Sequence, residues 1–79
     1  MISIRKEVYE EIVRKLKEEE EYYEAIVRKF EKKYSCSLEE LEKRIEKEGV
    51  PIELWEDSIE WRNAVEELEK LKKLLDELE

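Results

Sequence analysis

Residues 58–78 read SIEWRNAVEELEKLKKLLDEL and have the most regular helical pattern of the chain. Its apolar residues recur at alternating steps of three and four, which is the spacing of one side of an α-helix. They are Trp61, Ala64, Leu68, Leu71, Leu75 and Leu78. Charged residues fill most of the other positions. A single helix cannot bury such a stripe by itself, so the spacing predicts a second helix packed along it.

A second helical pattern runs from about Lys6 to Tyr34. Its apolar side consists of Tyr9, Ile12, Val13, Leu16, Tyr23, Ile26, Val27, Phe30 and Tyr34. The acidic run of residues 18–21 interrupts this side, because Glu19 and Glu20 occupy positions where apolar residues belong. Two interpretations of this run stay open: a solvated or salt-bridged layer, and a contact with a basic residue of a partner.

The two long helices have nearly equal lengths, with 25 steps from Tyr9 to Tyr34 and 24 steps from Trp55 to Glu79. At about 1.5 Å per residue, both helices reach the same distance. Two such helices cover each other fully if they run antiparallel, so we predict a helical hairpin. The predicted register sets Phe30 and Tyr34 against Ile59 and Trp55, Val27 near Trp61, and Ile12 near Leu75.

A short bridging helix is predicted at residues 38–48, between the two long ones. Ser37 followed by Glu40 fits a capping box, in which the hydroxyl and the carboxylate each satisfy a free backbone N–H. Cys36 before the cap and Leu41 in the first turn fit a hydrophobic staple, so we expect Cys36 to be a small, buried apolar residue.

The boundaries of the last helix and of the N-terminal segment are less well determined. Gly49 is a common helix terminator, and the Pro two positions later disfavours a helical residue before it. The last helix then begins between Ile52 and Ser58, at about residue 55, and runs to about residue 78. Residues 1–5 alternate apolar and polar side chains, as a short strand does, but they are few.

The composition favours long helices and association. Half of the 79 residues are charged, with one Gly, one Pro, one Cys and no His. A chain of this size has too little interior for a large core and lacks the residues for a disulfide or histidine–metal staple. We therefore predict a single all-α domain that forms a four-helix homodimer. The expected self-association residues are Leu68, Leu71, Leu75 and Leu78.

The net charge of −8 is unevenly distributed. Residues 1–34 carry nine basic and nine acidic side chains, whereas residues 35–79 carry seven basic and fifteen acidic ones. An acidic half repels phosphate backbones, so nucleic-acid binding is not expected. The charge suits a basic protein partner, or serves solubility alone. No stretch approaches the roughly 20 apolar residues of a membrane helix, and no signal peptide is visible, so the expected location is cytoplasmic.

Catalysis is not expected from the residue types present. The chain has no His, no glycine-rich phosphate loop and no ExxH metal motif. Two facing helices can bring glutamates together around a divalent ion, and the candidates are Glu19, Glu20, Glu66 and Glu67. These acids alternate with Lys and spread around the helices, as on a solvated surface. We therefore expect no enzyme activity, no cofactor and no metal site.

The N-terminal stretch ISIRKEVYEEIVRKL resembles the opening of ribbon-helix-helix repressors, in which a strand precedes a helix. That resemblance implies a dimeric strand pair that reads the DNA major groove. The sequence departs from the family in two places. No Pro precedes the helix, and residues 17–21 replace the Gly-x-Ser turn.

A second resemblance covers residues 30–78, which look like small acidic archaeal and bacterial proteins of the antitoxin type. The pattern is an aromatic-ended helix, K-Y-x-x-S-x-E-E-[LF], a short helix ending near Gly-x-Pro, W-E-D-x-x-E-W, and a leucine-rich helix. The matching residues are Tyr34, Ser37, Glu39, Glu40, Leu41, Trp55, Glu56, Asp57, Glu60 and Trp61. The resemblance implies a module that sequesters a small basic toxin.

The predicted function is therefore protein binding, most plausibly neutralisation of a toxin. The candidate partner-binding residues are Tyr22, Trp55, Glu56, Asp57, Glu60 and Trp61, with aromatic anchors for affinity and carboxylates for steering. The alternative is a purely structural, self-associating coiled-coil protein, natural or designed. A partner-binding module leaves Trp55 or Tyr22 exposed in its own oligomer, whereas a structural module buries both.

Overall fold

The computed structural model describes residues 5–78, except for the side chain of Glu48, and these residues form three α-helices. Helix α1 spans Lys6–Tyr34, α2 spans Leu38–Glu48 and α3 spans Ile52–Leu78. Between residues 5 and 78 there is no strand. The strand considered for residues 1–5 falls outside the described residues, apart from Arg5.

Helices α1 and α3 pack against each other in antiparallel directions. At one end, the Tyr9 hydroxyl donates a hydrogen bond to the carbonyl oxygen of Leu78. At the other end, the Tyr34 hydroxyl donates to the carboxylate of Asp57. The predicted all-α hairpin of two long helices with a short bridging helix is therefore confirmed.

The tightest part of the core lies where all three helices meet. Phe30 of α1, Leu38 and Leu41 of α2, and Trp61 of α3 are all at most 4 % exposed. The rings of Phe30 and Tyr34 both stack on the indole of Trp61, with centroid distances of 5.8 and 6.4 Å. Aromatic side chains bury large apolar areas, so this cluster contributes much of the stability of the fold.

The rest of the hairpin has only two helices, and there α3 provides the buried side. Its buried residues are Ala64, Leu68, Leu71 and Leu75. Leu78 is half-buried. Three of the leucines predicted to mediate self-association are thus covered by α1 of the same chain. While the hairpin is closed, these three leucines are buried within one chain and are not available to contact a second copy.

The two connections rely on backbone conformations that end and begin helices. Ser35 adopts the left-handed conformation (φ 51°), and its N–H donates to the Glu31 carbonyl over 2.9 Å. The Ser37 hydroxyl accepts the Glu40 N–H at 3.2 Å, which confirms the Ser37 half of the predicted capping box. After Gly49 (φ 64°), helix α3 begins directly behind Pro51, at the first residue of the range predicted for its start.

The register of the hairpin differs from the predicted one near α2. Phe30 faces Trp61 there, whereas Ile59 and Trp55 are 50 % and 51 % exposed. At 100° per residue, Ile59 lies about 160° around α3 from Trp61, so the two cannot both face α1. Burial of the larger side chain decides which side of the helix turns inward.

No helix within residues 5–78 is sufficiently long and apolar to cross a lipid bilayer.

Candidate functional site

An exposed apolar stripe lies on the side of α3 that points away from the core. Ile52, Trp55 and Ile59 are separated by three and four residues, which places them on one side of the first two turns of the helix. Their exposed fractions are 71 %, 51 % and 50 %. We call these three residues the outer stripe. Contiguous exposed apolar residues of this kind mark interaction surfaces more often than isolated ones do.

The outer stripe is surrounded by carboxylates. Glu53, Glu56 and Glu60 are exposed on the same stretch of helix. Residues 52–66 contain five acidic side chains and one basic side chain, a balance of −4. The single basic residue, Arg62, is held by Glu42 of α2, with Nη2–Oε1 and Nε–Oε2 distances of 2.5 and 3.2 Å. Lys29 and Lys33 of α1 lie 3.9 Å from Glu60 and 3.2 Å from Glu53, so they partly offset the acidic excess around the outer stripe.

The Glu42–Arg62 pair fixes α2 beside this surface. Its two parallel hydrogen bonds have the geometry that gives arginine–carboxylate pairs their directional strength. The hydrogen bonds to this carboxylate raise the pKa of the Arg62 guanidinium above its ordinary value. Beside it, Ser58 is buried and donates a hydrogen bond to the Trp55 carbonyl over 2.7 Å. This hydrogen bond stabilises the backbone of the helical turn that carries Trp55, on the side of α3 that faces the core.

Asp57 belongs to the interior side of α3. Its carboxylate accepts a hydrogen bond from Lys33 Nζ at 2.6 Å and another from the Tyr34 hydroxyl. Lys33 also donates to Glu53 over 3.2 Å. These residues join the end of α1 to the beginning of α3, and we call Lys33, Tyr34, Glu53 and Asp57 the clasp.

The clasp changes the pKa values of its members. The hydrogen bonds from Lys33 and Tyr34 hold the pKa of Asp57 below its ordinary value. The carboxylates of Asp57 and Glu53 raise the pKa of Lys33. Burial, followed by the bond to Asp57, raises the pKa of Tyr34. At neutral pH, Asp57 is therefore a fixed, paired carboxylate with little free capacity for a partner.

The structure brings some of the predicted partner-binding residues together and separates others. Trp55 and Glu56 lie on or beside the outer stripe, and Glu60 is near it but 3.9 Å from Lys29 of α1. Trp61 is 2 % exposed and belongs to the core, so it is not available to a partner in this fold. Its spacing within the apolar side of α3 already indicated burial.

Tyr22 lies on a different helix from the outer stripe. It is 61 % exposed near the middle of α1, with its ring edge-on to that of Tyr23 at 5.1 Å between centroids. Sequence reasoning missed Ile52 and Ile59. The signal that identifies them is their spacing of three and four from Trp55, together with their position opposite Trp61.

The four glutamates considered for a metal ion do not form a site. Across residues 5–78 there is no group of three or more His, Cys, Asp or Glu side chains arranged to hold a metal ion. Glu67 instead lies 3.4 Å from Lys70, one turn further along α3.

Comparisons of the chain with protein-family models, with curated proteins and with solved structures find no match. The resemblances to antitoxin-like proteins and to ribbon-helix-helix repressors therefore stay predictions.

Proposed function

We propose that this protein is a non-enzymatic interaction module that binds a basic partner protein through the outer stripe of α3. The observation that carries the proposal is the half-exposed indole of Trp55, set between two exposed isoleucines. Tryptophan is enriched among the residues that dominate binding energy, and it acts best when neighbouring groups exclude water around it. Ile52 and Ile59 are placed to do so.

The carboxylates around the outer stripe determine the partner's charge. The exposed carboxylates of Glu53, Glu56 and Glu60 are only partly offset by Lys29 and Lys33 of α1, so this surface suits a basic protein better than nucleic acid. Charges at the rim of an interface mainly raise the rate of association and select among partners, whereas the apolar centre supplies affinity. Glu56, which is exposed and close to Trp55, has the rim position.

The specific form that we propose is an antitoxin-like role in the cytoplasm. The module holds a small basic toxin against α3 and covers the toxin's active site. The support for this form is the sequence resemblance over residues 30–78 combined with the acidic, aromatic-centred surface. The single cysteine, Cys36, is a half-buried free thiol, which suits a reducing compartment.

The test is to purify the protein from its source with its bound partner, and to measure the partner's affinity for variants. We expect Trp55→Ala and Glu56→Lys each to weaken binding at least about tenfold, with α-helical content unchanged. Glu77→Lys is the control, because it makes the same charge change on an exposed residue near the other end of α3. Equal affinity of wild type, Trp55→Ala and Glu56→Lys would rule the proposal out.

A purely structural bundle is the second candidate, and three exposed residues favour it. Val8, Ile12 and Leu74 are 47 %, 37 % and 45 % exposed at the end of the hairpin that lies away from α2. In a bundle whose only role is assembly, copies of the chain cover Trp55 as well. Trp55→Ala would then reduce the size of the assembly in sedimentation experiments, whereas a partner-binding surface leaves it unchanged.

A further inference from the structure

A second stripe runs straight along α1, beside the side that faces α3. Its six members follow one another at steps of four, three, four, three and four residues. They are Val8, Ile12, Lys15, Glu19, Tyr22 and Ile26. The 18 residues from Val8 to Ile26 cover five turns at 3.6 residues per turn, so the stripe stays on one side of the helix. We call it the lateral stripe.

The lateral stripe is largely uncovered. Val8, Ile12 and Tyr22 are 47 %, 37 % and 61 % exposed, which makes them three of the most exposed large apolar side chains of the described chain. Glu19 is exposed, and the side chain of Lys15 is 68 % exposed. Only Ile26 is half-buried, against the aromatic cluster at the α2 end.

From either end, the lateral stripe begins with two apolar residues followed by a charged residue, and the two charged residues at its centre have opposite signs. Two apolar residues are followed by two residues of opposite charge and then by two apolar residues. A twofold axis through the middle of the stripe therefore sets apolar residues against apolar ones, and Lys15 against Glu19. Interfaces between identical copies with twofold symmetry need this self-complementarity, since residue i meets j and j meets i.

We propose that the lateral stripe is the contact with a second copy of this chain, in which the two α1 helices pack antiparallel. Val8 then lies against Ile26 of the second copy, Ile12 against Tyr22, and Lys15 against Glu19, and each pair occurs twice. The alternation of four and three is the spacing by which paired helices pack their side chains. This contact involves none of the leucines that close the hairpin and none of the outer stripe.

The charged centre of the stripe sets the direction of the two helices. A parallel pair would place Lys15 against Lys15 and Glu19 against Glu19, which is repulsive. Within one chain, Lys15 lies 3.8 Å from Glu11, at a highly exposed position. Exposed pairs of this kind contribute little to stability, so Lys15 is free to re-pair with Glu19 of the second copy.

The contact ends where the stripe loses its self-complementarity. One step beyond each end, the same axis would set Arg5 against Lys29 of the second copy, two like charges. Lys29 lies 3.9 Å from Glu60 in its own chain. The predicted interface therefore extends over five turns of α1, from Val8 to Ile26, and leaves the clasp outside.

Charge reversal at the centre tests both the contact and its direction. We expect sedimentation equilibrium to show a wild-type dimer that dissociates on dilution. Lys15→Glu and Glu19→Lys each create two like-charge pairs, so each should weaken the dimer about tenfold or more. The double variant Lys15→Glu/Glu19→Lys restores opposite charges and should recover wild-type dimerisation. Circular dichroism checks that every variant keeps its helices.

Two further measurements make the test specific. Lys32→Glu is the control, because it makes the same charge change as Lys15→Glu at an exposed position of α1 outside the lateral stripe. Glu19→Lys reduces the net charge from −8 to −6, so general repulsion between acidic chains cannot explain weaker dimerisation. An equimolar mixture of the Lys15→Glu and Glu19→Lys variants should form a mixed dimer more strongly than either variant alone.

A wild-type monomer at several hundred micromolar would overturn the proposal. So would a dimer that tolerates Tyr22→Asp, or one in which either single charge reversal acts like Lys32→Glu. A mixed dimer of the wild type and the Lys15→Glu variant that forms more strongly than either homodimer would indicate parallel helices, because residue 15 would then face residue 15, and this result also contradicts the arrangement. None of these outcomes depends on whether the outer stripe binds a partner.

Discussion

The ring of Phe30 lies over the indole of Trp61, with 5.8 Å between the centroids and 22° between the planes. This contact joins the two long helices at the point where α2 covers them. It also determines which side of α3 turns outward, because Trp61 and Ile59 lie on opposite sides of the helix. The exposed position of Trp55 follows from the same rotation.

Replacement of Trp61 by alanine should remove much of the core. We expect Trp61→Ala to lower the free energy of unfolding by about 3–5 kcal/mol, because the cavity would open between three helices. Trp55→Ala is the matched control, and it should change stability much less, by about 1 kcal/mol, since that side chain is half exposed. Urea denaturation followed by circular dichroism measures both. Equal effects of the two substitutions would mean that the register of α3 is misassigned.

The middle of the hairpin offers a second contrast between leucines of the same helix. Leu68 is 9 % exposed and Leu74 is 45 % exposed. Leu68→Asp places a carboxylate between α1 and α3, so we expect several kcal/mol of destabilisation or complete unfolding. Leu74→Asp should retain a cooperative thermal transition close to that of wild type. The melting temperatures distinguish these outcomes, and an unchanged value for Leu68→Asp would contradict the packing described here.

The clasp should make stability depend on pH at the acidic end. The pKa of Asp57 is lower in the folded chain than its ordinary value of 3.8, so the unfolded chain takes up this proton first as pH falls. The stabilising effect is therefore fully present above about pH 5 and is lost as pH decreases through the folded pKa. Unfolding free energies measured between pH 7 and pH 2 should show this decline.

Two substitutions separate the clasp from the general effect of acid. Asp57→Asn should reduce stability at pH 7 by about 1 kcal/mol and flatten the decline, because its amide carries no charge to lose. Asp76→Asn, on an exposed part of α3, should keep the wild-type pH profile. If Asp57→Asn and Asp76→Asn gave the same profile, the clasp would have no part in the pH dependence.

The two connections should respond to substitution in opposite directions. Ser35 holds a left-handed conformation that is costly for a residue with a Cβ, so Ser35→Gly should stabilise the protein by about 0.5 kcal/mol. Gly49 also has positive φ, and no atom lies within 4 Å of an added Cβ. Gly49→Ala should therefore destabilise by about 1–2 kcal/mol through backbone strain alone. Thermal unfolding in the same buffer compares the two, and equal signs would contradict this account.

The sequence was sufficient to predict the class of fold because its periodicity is regular. The stripe from Trp61 to Leu78 required a covering helix, and the matching length of the N-terminal helix supplied one. The cap at Ser37 was also predictable, because a capping box depends on neighbouring residues. These features are set locally or by the overall spacing of apolar residues, and both kinds of information are present in a single chain.

The exposed surface was harder to predict, since it depends on which apolar residues remain exposed after the hairpin has formed. Trp55 and Trp61 belong to the same W-E-D-x-x-E-W segment, and their types do not reveal that only one is buried. Ile59 was assigned to the contact with Phe30, a place that the structure gives to Trp61. Hydrogen bonds between distant segments, such as those of Asp57, depend on the register and are equally invisible in the sequence.

The unequal burial of the two tryptophans gives this protein a built-in optical reporter. Trp61, at 2 % exposure, should emit at short wavelength and resist quenching by acrylamide until the chain unfolds. Trp55, at 51 % exposure, should emit at longer wavelength and be quenched readily. A ligand on the outer stripe would change the emission of Trp55 and leave that of Trp61 unchanged. Folding and binding can therefore be followed separately in one unlabelled sample.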